Sequence, residues 1–345
     1  MKYTADYLED LAKAAANIPD IDALKGKSVL ITGACGMICS AVADMLMALN
    51  DNNGCNIGIY LAARSEKKTS LRYGERMSRS DVHYVEYDAT RPFNTDIPFD
   101  YIIHGASNAD PKAIMSKPVE TMTANIYGTQ SLLEYTVSHS KCRLLYISSS
   151  EVYGRKQSEQ PYTEDEYGYV DILNPRSCYP TSKRAAETLC ASFRKEHGTD
   201  AVIVRPGHVY GPTMTETDSR ASSQFPRDIV SGSDIVMKSK GSQLRSYCYM
   251  TDCASAILSV LVAGVSGEAY NISNRNSVVT IRQMAEAFAK AGGRKVVFDI
   301  PSSAELAGYN MMDNSSLDAT KLERLGWKAE TGMEEGAAKT LAQLT

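Results

Sequence analysis

The 345-residue chain lacks the features that mark membrane, exported and nucleic-acid-binding proteins. No apolar run approaches the ~18 residues that a membrane helix needs, and residues 1–6 show no basic-then-apolar leader pattern. There is no run of Lys and Arg, and the net charge is −4, which argues against a nucleic-acid partner. We therefore expect a cytoplasmic protein that binds neither membrane nor nucleic acid.

Metal-site spacing is also missing. None of the eight cysteines forms Cys-x-x-Cys, and no paired histidines accompany them, so we expect no metal. Internal repeats and low-complexity segments are absent. The apolar share of 43% and the charged share of 23% are ordinary for a globular enzyme. The length allows one large domain or two unequal ones.

A β-rich run at residues 27–32 leads into a turn that contains Gly33 and Gly36, and an apolar helical pattern follows over 41–49. A strand, a glycine turn and a helix in this order are the context of a dinucleotide-binding turn, where backbone N–H groups meet a diphosphate. Further predicted strands alternate with helices at 57–63, 82–89, 101–107, 142–148 and 201–205. This rhythm predicts an α/β fold with a doubly wound parallel sheet.

The residues with the clearest chemistry are Tyr179 and Lys183. Pro180 suits the first position of a helix, which puts these two side chains, four apart, on one face. A phenol titrates near ~10 and is a poor base at neutral pH, but a nearby ammonium favours the phenolate. We therefore expect Lys183 to lower the pKa of Tyr179 and make it a proton acceptor for a hydroxyl. Ser149, at the end of the strand at 142–148, is expected to share that proton or hold the hydroxyl.

Two motifs carry a resemblance to a known family. Ser-Glu-Val-Tyr-Gly at 150–154, followed by Tyr-x-x-x-Lys-Arg-x-x-Glu-Thr at 179–188, resembles the extended short-chain dehydrogenase/reductases of the NAD-dependent epimerase/dehydratase family. The pattern is most similar to the branch of UDP-glucuronate decarboxylases and dTDP-glucose 4,6-dehydratases. The resemblance implies a Rossmann-type fold, bound NAD or NADP, a nucleoside-diphosphate sugar as substrate, and a homodimer formed through helices near 118–139 and 180–196.

The resemblance also implies a division of the chain. We expect a helical extension at 1–25, in which Leu8, Leu11, Ala12 and Ala15 form an apolar face, and a dinucleotide-binding domain at 26–212 to which residues 246–264 return. Residues 213–345 are expected to form mainly a substrate-binding lobe. The polar residues 213–224 are predicted to form a loop over the site.

The family motifs assign site residues by position. Expected catalytic residues are Ser149, Tyr179, Lys183 and Glu151. Expected cofactor-binding residues are Gly33, Gly36, Met37, Ile38, Arg64, Asp88, Ala89, Gly105, Ala106, Ser107, Tyr179, Lys183 and Pro206. Expected substrate-binding residues are Asn108, Ser150, His208, Gln224 and Arg245.

Three departures from the family pattern bear on function. Arg64 stands where an NAD enzyme of this fold usually has an acidic residue, which favours NADP. Cys39 replaces the third glycine of the turn, and residues 313–316 lack an arginine that relatives use for the substrate diphosphate. Because of these departures, the sequence does not decide how tightly the cofactor is retained or how the nucleotide of the substrate is bound.

The sequence therefore predicts an enzyme that oxidises a nucleotide-linked sugar transiently at C4, with Tyr179 as base and Glu151 assisting a later proton transfer. The absence of an aspartate at position 150 favours decarboxylation over dehydration. The alternatives are an NADPH-dependent reductase of a keto sugar or a small carbonyl compound, and a non-catalytic nucleotide-binding scaffold.

Overall fold

A parallel sheet forms the centre of the molecule. The computed structural model describes residues 3–156, 159–300 and 312–345, and within them this sheet has seven strands in the order β10-β6-β5-β4-β1-β2-β3. The strands are β1 (Ser28–Thr32), β2 (Gly58–Ala63), β3 (Val82–Glu86), β4 (Tyr101–His104), β5 (Arg143–Ile147), β6 (Asp200–Pro206) and β10 (Ala269–Ile272). The predicted doubly wound α/β fold is confirmed.

Burial explains why these segments form strands. The inner strands carry short apolar runs, and β1, β5 and β6 are buried along nearly their whole length, as expected for parallel strands covered on both faces. The strand order changes direction between β1 and β4, which pair in parallel register. Such a reversal opens a crevice at the carboxyl ends of the strands, where ligands bind in folds of this type.

Helices cover both faces of the sheet. Residues of α2 and α8 pack into the larger apolar core, and residues of α5 and α6 pack into a second core on the opposite face. The helices are α1 (Ala5–Ala15), α2 (Met37–Asn53), α3 (Glu66–Tyr73), α4 (Pro111–Ser116), α5 (Pro118–Ser138), α6 (Cys178–His197), α7 (Ala221–Val230), α8 (Met250–Ala263), α9 (Ile281–Ala291), α10 (Thr320–Glu323) and α11 (Met333–Leu344). None of them, over the ranges described, has the length and apolar character that a bilayer crossing requires.

The later part of the chain adds two smaller sheets beside the crevice. Strand β9 (Leu244–Tyr249) pairs with β7 (His208–Tyr210), β11 (Val278–Thr280) and β13 (Asn314–Ser315), and β8 (Ile235–Met237) pairs with β12 (Val296–Phe298). Strand β7 leaves the end of β6 directly. The second sheet therefore begins at the edge of the crevice and forms one of its walls.

Two predictions about local structure need correction. The extension does form a helix, α1, but its buried face consists of Tyr7, Leu11, Ala14 and Ala15, whereas Leu8 and Ala12 are exposed. The predicted loop at 213–224 is too long, because its last four residues begin helix α7. Pro226 lies inside that helix, where proline normally breaks the hydrogen-bond ladder, so the sequence did not indicate a helix there.

Candidate active site

Two adjoining cavities lie at the carboxyl ends of β1 and β4. The first, of about 340 Å³, extends towards the ends of β2 and β3, and the second, of about 380 Å³, extends towards β5 and the start of α6. They share Gly33, Gly36, Gly105, Ser107 and Asn108 as lining residues. The two cavities therefore form one continuous crevice that passes the glycine turn.

The glycine turn is shaped for close approach of a ligand. Gly33 has φ +70°, and a Cβ there would lie 2.9 Å from the backbone of Ala106, so only glycine fits. Gly36 precedes α2 without a side-chain cap, which leaves first-turn N–H groups of that helix free for a ligand. Backbone donors at a helix N-terminus are suited to a diphosphate, so the turn fits the dinucleotide.

The first cavity contains charges of both signs. Arg64 and Lys68 line it together with Asp88 and Glu120. Arg64 Nη1 lies 3.2 Å from a carboxylate oxygen of Glu120, and Asp88 accepts hydrogen bonds from the N–H and hydroxyl of Thr90. The sequence did not single out Glu120, which supplies an acidic group to this cavity although the end of β2 has none.

The second cavity brings together the four predicted catalytic residues. Glu151 lies in a short 3₁₀ helix that follows β5 and is capped by Ser149, and Tyr179 and Lys183 lie in the first turns of α6; all four line the cavity. The α6 helix begins at Cys178, so Pro180 is its third residue and lies in the first turn, whereas the sequence predicted it at the first position. The i, i+4 spacing puts both side chains on the face that meets the crevice.

The expected effect of Lys183 on Tyr179 is not what the structure shows. The pKa of Tyr179 is raised to about 12: burial and then the charge of Glu151 raise it, and a hydrogen bond with Ser149 and the charges of Arg220 and Arg176 partly offset this. Lys183 donates instead to the carbonyl oxygen of Ile147 at 2.7 Å, and its Nζ lies 5.8 Å from the centre of the Tyr179 ring. The prediction failed because it counted charge and left out burial.

Lys183 is itself strongly affected by its surroundings. Burial lowers the pKa of the Lys183 amine to about 7, against raising contributions from Glu187 and Cys39. Its Nζ also lies over the ring of Tyr146, 4.7 Å from the centroid. The amine is therefore poised to titrate near neutral pH, directly behind the residue proposed as base.

Glu151 is held in a two-pronged ion pair. Arg176 donates from both terminal nitrogens to the two carboxylate oxygens of Glu151, at 2.8 and 3.0 Å. The planar guanidinium fixes the orientation of the carboxylate, which lines the catalytic cavity while the pair is only partly exposed. Arg176 lies three residues before Tyr179, but no spacing rule in the sequence connects it with Glu151.

His208 lines the catalytic cavity in an uncharged state. Burial lowers the pKa of its imidazole to about 3, with further lowering by the charges of Arg245 and Arg220, and its Nδ1 is buried without a hydrogen-bond partner among the described residues. Arg220 lines the same cavity and pairs with Asp218, its Nε 2.9 Å from a carboxylate oxygen. A neutral imidazole can donate or accept one hydrogen bond towards a ligand.

All thirteen predicted cofactor residues line the crevice, and so do Asn108, Ser150 and His208 of the predicted substrate residues. Gln224 and Arg245 are not among the lining residues of either cavity. Gln224 is exposed on α7 and donates to Asp228 at 2.6 Å. Arg245 is 3% exposed, donates to the carbonyl of Leu244, and forms no salt bridge within the described residues.

Cys39, in place of the third glycine, is accommodated by its neighbour across the crevice. A Cβ on Gly105 would collide with the Cys39 sulfur, so the thiol occupies space that a side chain at the tip of β4 would need. The glycine turn is therefore intact despite the cysteine at position 39.

Residues 313–316, where an arginine was expected by resemblance, run along β9 and contribute no lining residue to the two cavities.

A doubly wound sheet with a glycine turn at its switch point and a Ser, Tyr and Lys group beside it defines a dinucleotide-dependent enzyme fold. Comparison with known families agrees, since the sequence model of the NAD dependent epimerase/dehydratase family matches residues 29–273. The chain belongs to this family of enzymes. The predicted family is thereby confirmed.

The proteins similar to this chain are named for several different reactions. UDP-glucuronic acid decarboxylase 1 of Xenopus tropicalis is 27% identical over 317 residues, which cover 91% of this chain and 71% of that protein. The fold is similar to dTDP-glucose 4,6-dehydratase of Bacillus anthracis in complex with NAD, with a TM-score of 0.77, 18% identity, and 92% and 96% of the two chains covered. It is also similar to UDP-glucuronic acid 4-epimerase of Bacillus cereus in complex with UDP-glucuronic acid and NAD, with a TM-score of 0.76, 22% identity, and 92% and 98% covered.

Proposed function

We propose that this protein modifies the sugar of a nucleoside diphosphate sugar by transient oxidation at C4, with Tyr179 as the base. One observation carries the proposal: Ser149, Glu151, Tyr179 and Lys183 line a single cavity that is continuous with the glycine turn. The names of the similar proteins support a nucleotide-sugar substrate, and the decarboxylase relatives favour a uronic acid.

The chemistry that a bound nicotinamide supplies is acceptance of hydride from C4 and its later return. Tyr179 takes the proton of the C4 hydroxyl, and Ser149, hydrogen-bonded to Tyr179, holds that hydroxyl and shares the proton. With a pKa of about 12 the Tyr179 phenol is protonated at neutral pH in the ligand-free chain, and the positive charge of an oxidised nicotinamide beside it would favour the phenolate. Lys183 holds the helix that carries Tyr179 against β5.

Glu151 is proposed to act after oxidation. A ketone at C4 acidifies the neighbouring carbon and eases loss of a carboxylate or movement of a proton there. The two hydrogen bonds from Arg176 fix the orientation of the Glu151 carboxylate, which lines the cavity, as a group that moves a proton needs. Asn108, Ser150 and His208 are proposed to orient the sugar and the diphosphate, and Arg245 is proposed to act through His208, whose pKa it helps to lower.

At the adenosine end we propose that Arg64, with Lys68 beside it, meets a 2′-phosphate. That phosphate must displace the Glu120 carboxylate from Arg64, so we expect only a modest preference for NADP. The same two cations favour a second candidate function, a reductase that uses free NADPH on a keto sugar or small carbonyl compound. The two functions differ in what purified protein carries, since a redox-neutral enzyme retains bound nicotinamide and a reductase consumes NADPH stoichiometrically.

Domain organisation and assembly are proposed by resemblance. Residues 26–212, with the return at 246–264, would hold the dinucleotide, and residues 213–345 would form most of the substrate lobe. A homodimer would form through α5 and α6, which present partly exposed apolar residues such as Leu189 and Val137. Sedimentation equilibrium of the purified chain measures the assembly directly.

The test of the proposed function is Tyr179→Phe. With UDP-glucuronic acid as probe substrate, we expect turnover to fall by about three orders of magnitude, because the proton acceptor is gone, while the dissociation constant for NAD changes little. Tyr169→Phe, at an exposed tyrosine, is the matched control. Turnover by Tyr179→Phe at the wild-type rate would refute the proposal.

A further inference from the structure

Helix α3 contacts the glycine turn from behind through one buried side chain. The hydroxyl of Tyr73, the last residue of α3, donates to the carbonyl oxygen of Ala34 at 2.7 Å, and Tyr73 is 1% exposed. One turn earlier on α3, the Thr69 hydroxyl lies 3.4 Å from the sulfur of Cys35. Two consecutive turn residues are thus tied to α3 by side chains outside the crevice.

This contact sets the direction of a donor that faces the ligand. The peptide unit that carries the Ala34 carbonyl also carries the Cys35 N–H, and in a trans peptide these two groups point in opposite directions. Because Tyr73 holds the carbonyl on the α3 side, the N–H is fixed on the other side. Cys35 lines the first cavity, and its N–H has no hydrogen-bond partner among the described residues, so this donor is available to a diphosphate placed at the turn.

Helix α3 is in turn anchored by a fully buried carboxylate. Asp44 of α2 is 0% exposed and accepts a hydrogen bond from Arg72 Nη2 of α3 at 2.8 Å. The same carboxylate accepts from the hydroxyl of Tyr7 at 2.8 Å and from the hydroxyl of Tyr3 at 2.9 Å. Arg72 also donates to the Tyr3 hydroxyl at 2.8 Å, so four side chains from three segments close one network.

The segment that precedes β1 is therefore part of this network. Tyr3 and Tyr7 come from residues outside the part of the chain that the family model matches, which begins at residue 29. Arg76, just beyond α3, adds a cation–π contact, its guanidinium 3.8 Å from the centre of the Tyr3 ring. A buried carboxylate that lost these donors would be left under-paired, so the tyrosines hold Asp44 and Arg72 in one arrangement.

We propose that Tyr73 is a positioning residue for the dinucleotide diphosphate, and that Tyr3 and Tyr7 brace it through Asp44 and Arg72. The N-terminal helix is then a working component of the cofactor site. The inference rests on dinucleotide binding at the glycine turn and not on the reaction proposed for Tyr179. The inference concerns only the diphosphate, the part of the dinucleotide that would contact the glycine turn.

The test compares ADP, which contains the diphosphate, with adenosine, which lacks it. We expect Tyr73→Phe to weaken ADP binding about five-fold, the effect of losing one oriented hydrogen bond, and to leave adenosine binding unchanged. The double variant Tyr3→Phe/Tyr7→Phe should weaken ADP binding about three-fold. Tyr135→Phe is the matched control, because its buried hydroxyl also donates to a backbone carbonyl, that of Ile97 at 2.8 Å, away from both cavities.

Isothermal titration of the full chain gives each constant without any turnover. Equal losses for ADP and adenosine in Tyr73→Phe would mean a general structural effect and would overturn the positioning role, as would unchanged ADP affinity. Unchanged ADP affinity in the double variant would overturn the brace. Hydrogen exchange of the turn amides in the ligand-free protein is the second readout: faster exchange at residues 34–36 in both variants supports the proposal, and unchanged exchange contradicts it.

Discussion

The side-chain amine of Lys183 donates a hydrogen bond to the carbonyl oxygen of Ile147, the last residue of β5, at 2.7 Å. This bond ties the first turns of α6 to the strand end from which Ser149 and Glu151 follow. Lys183 therefore holds together the two segments that supply the groups proposed as catalytic. Its buried position has a cost in stability, because an ammonium loses its hydration there.

That cost predicts a pH-dependent stability. The pKa of Lys183 is about 7 in the folded chain and about 10.5 when exposed, so between these values the unfolded chain binds a proton that the folded chain does not. Stability from this group therefore rises with pH across that window and is lowest below pH 7. We expect the free energy of unfolding of wild type, relative to Lys183→Met, to rise by roughly 3 kcal/mol between about pH 7 and pH 10.

Urea denaturation at several pH values measures this difference. Lys195→Met, at an exposed lysine on the same helix, is the control and should follow wild type. If the free energies of unfolding of wild type and Lys183→Met change with pH in parallel, the pKa of Lys183 is not lowered in the folded chain.

The ion pair of Glu151 with Arg176 at the cavity wall leads to a prediction that separates oxidation at C4 from the later proton transfer. Glu151→Gln removes the group proposed to move a proton after oxidation, while Tyr179 and Ser149 remain. With UDP-glucuronic acid we expect reduced nicotinamide to accumulate on the protein, and product formation to fall at least 100-fold, within the range for loss of an acid–base group. Stopped-flow absorbance of the nicotinamide and product chromatography measure the two steps.

Glu166→Gln is the control for that experiment, because Glu166 pairs with Lys156 away from the cavities. If Glu151→Gln forms product at the wild-type rate, the carboxylate is only a partner of Arg176. If it blocks nicotinamide reduction as well, Glu151 acts before or during oxidation, against the proposed order.

The charges at the adenosine end predict opposite effects of two variants. Arg64→Ala removes a cation that a 2′-phosphate would meet, so we expect NADP affinity to fall about five-fold and NAD affinity to change little. Glu120→Gln removes the carboxylate 3.2 Å from Arg64, and NADP affinity should rise by about two- to five-fold. Fluorescence titration with both dinucleotides measures the ratio, and an unchanged ratio in both variants would exclude a role of Arg64 in cofactor choice.

The sequence was most informative where the chemistry is local. The strand before Gly33, the helix after Gly36 and the four-residue spacing of Tyr179 and Lys183 depend on near neighbours, and the structure brings them to one crevice. Contacts between distant segments were not predictable. Glu151 and Arg176 are 25 residues apart and Arg64 and Glu120 are 56 apart, and no periodicity links either pair.

Other expectations differ from the structure for physical reasons that the sequence does not show. The pKa of Tyr179 depends on how deeply α6 is buried, which the number of nearby cations does not reveal. Gln224 was assigned to a loop over the site because residues 213–224 are polar, yet it lies on the exposed face of α7. Arg245 was assigned by motif position; it is buried on β9, outside the lining of both cavities, so its role in substrate binding stays a prediction.

The thiol of Cys39 and the missing side chain of Gly105 occupy the same small volume at the floor of the crevice. Position 105 can therefore gain a side chain only after the Cys39 thiol has been replaced by a smaller group. A chimera with glycine at 39 leaves a gap beside Gly105 unless position 105 gains a methyl group. A chimera that gains a side chain at 105 while Cys39 remains places two groups in the same volume, so α2 cannot pack against the end of β4. A series of single substitutions from this turn to one with glycine at 39 and alanine at 105 therefore passes through glycine at both positions.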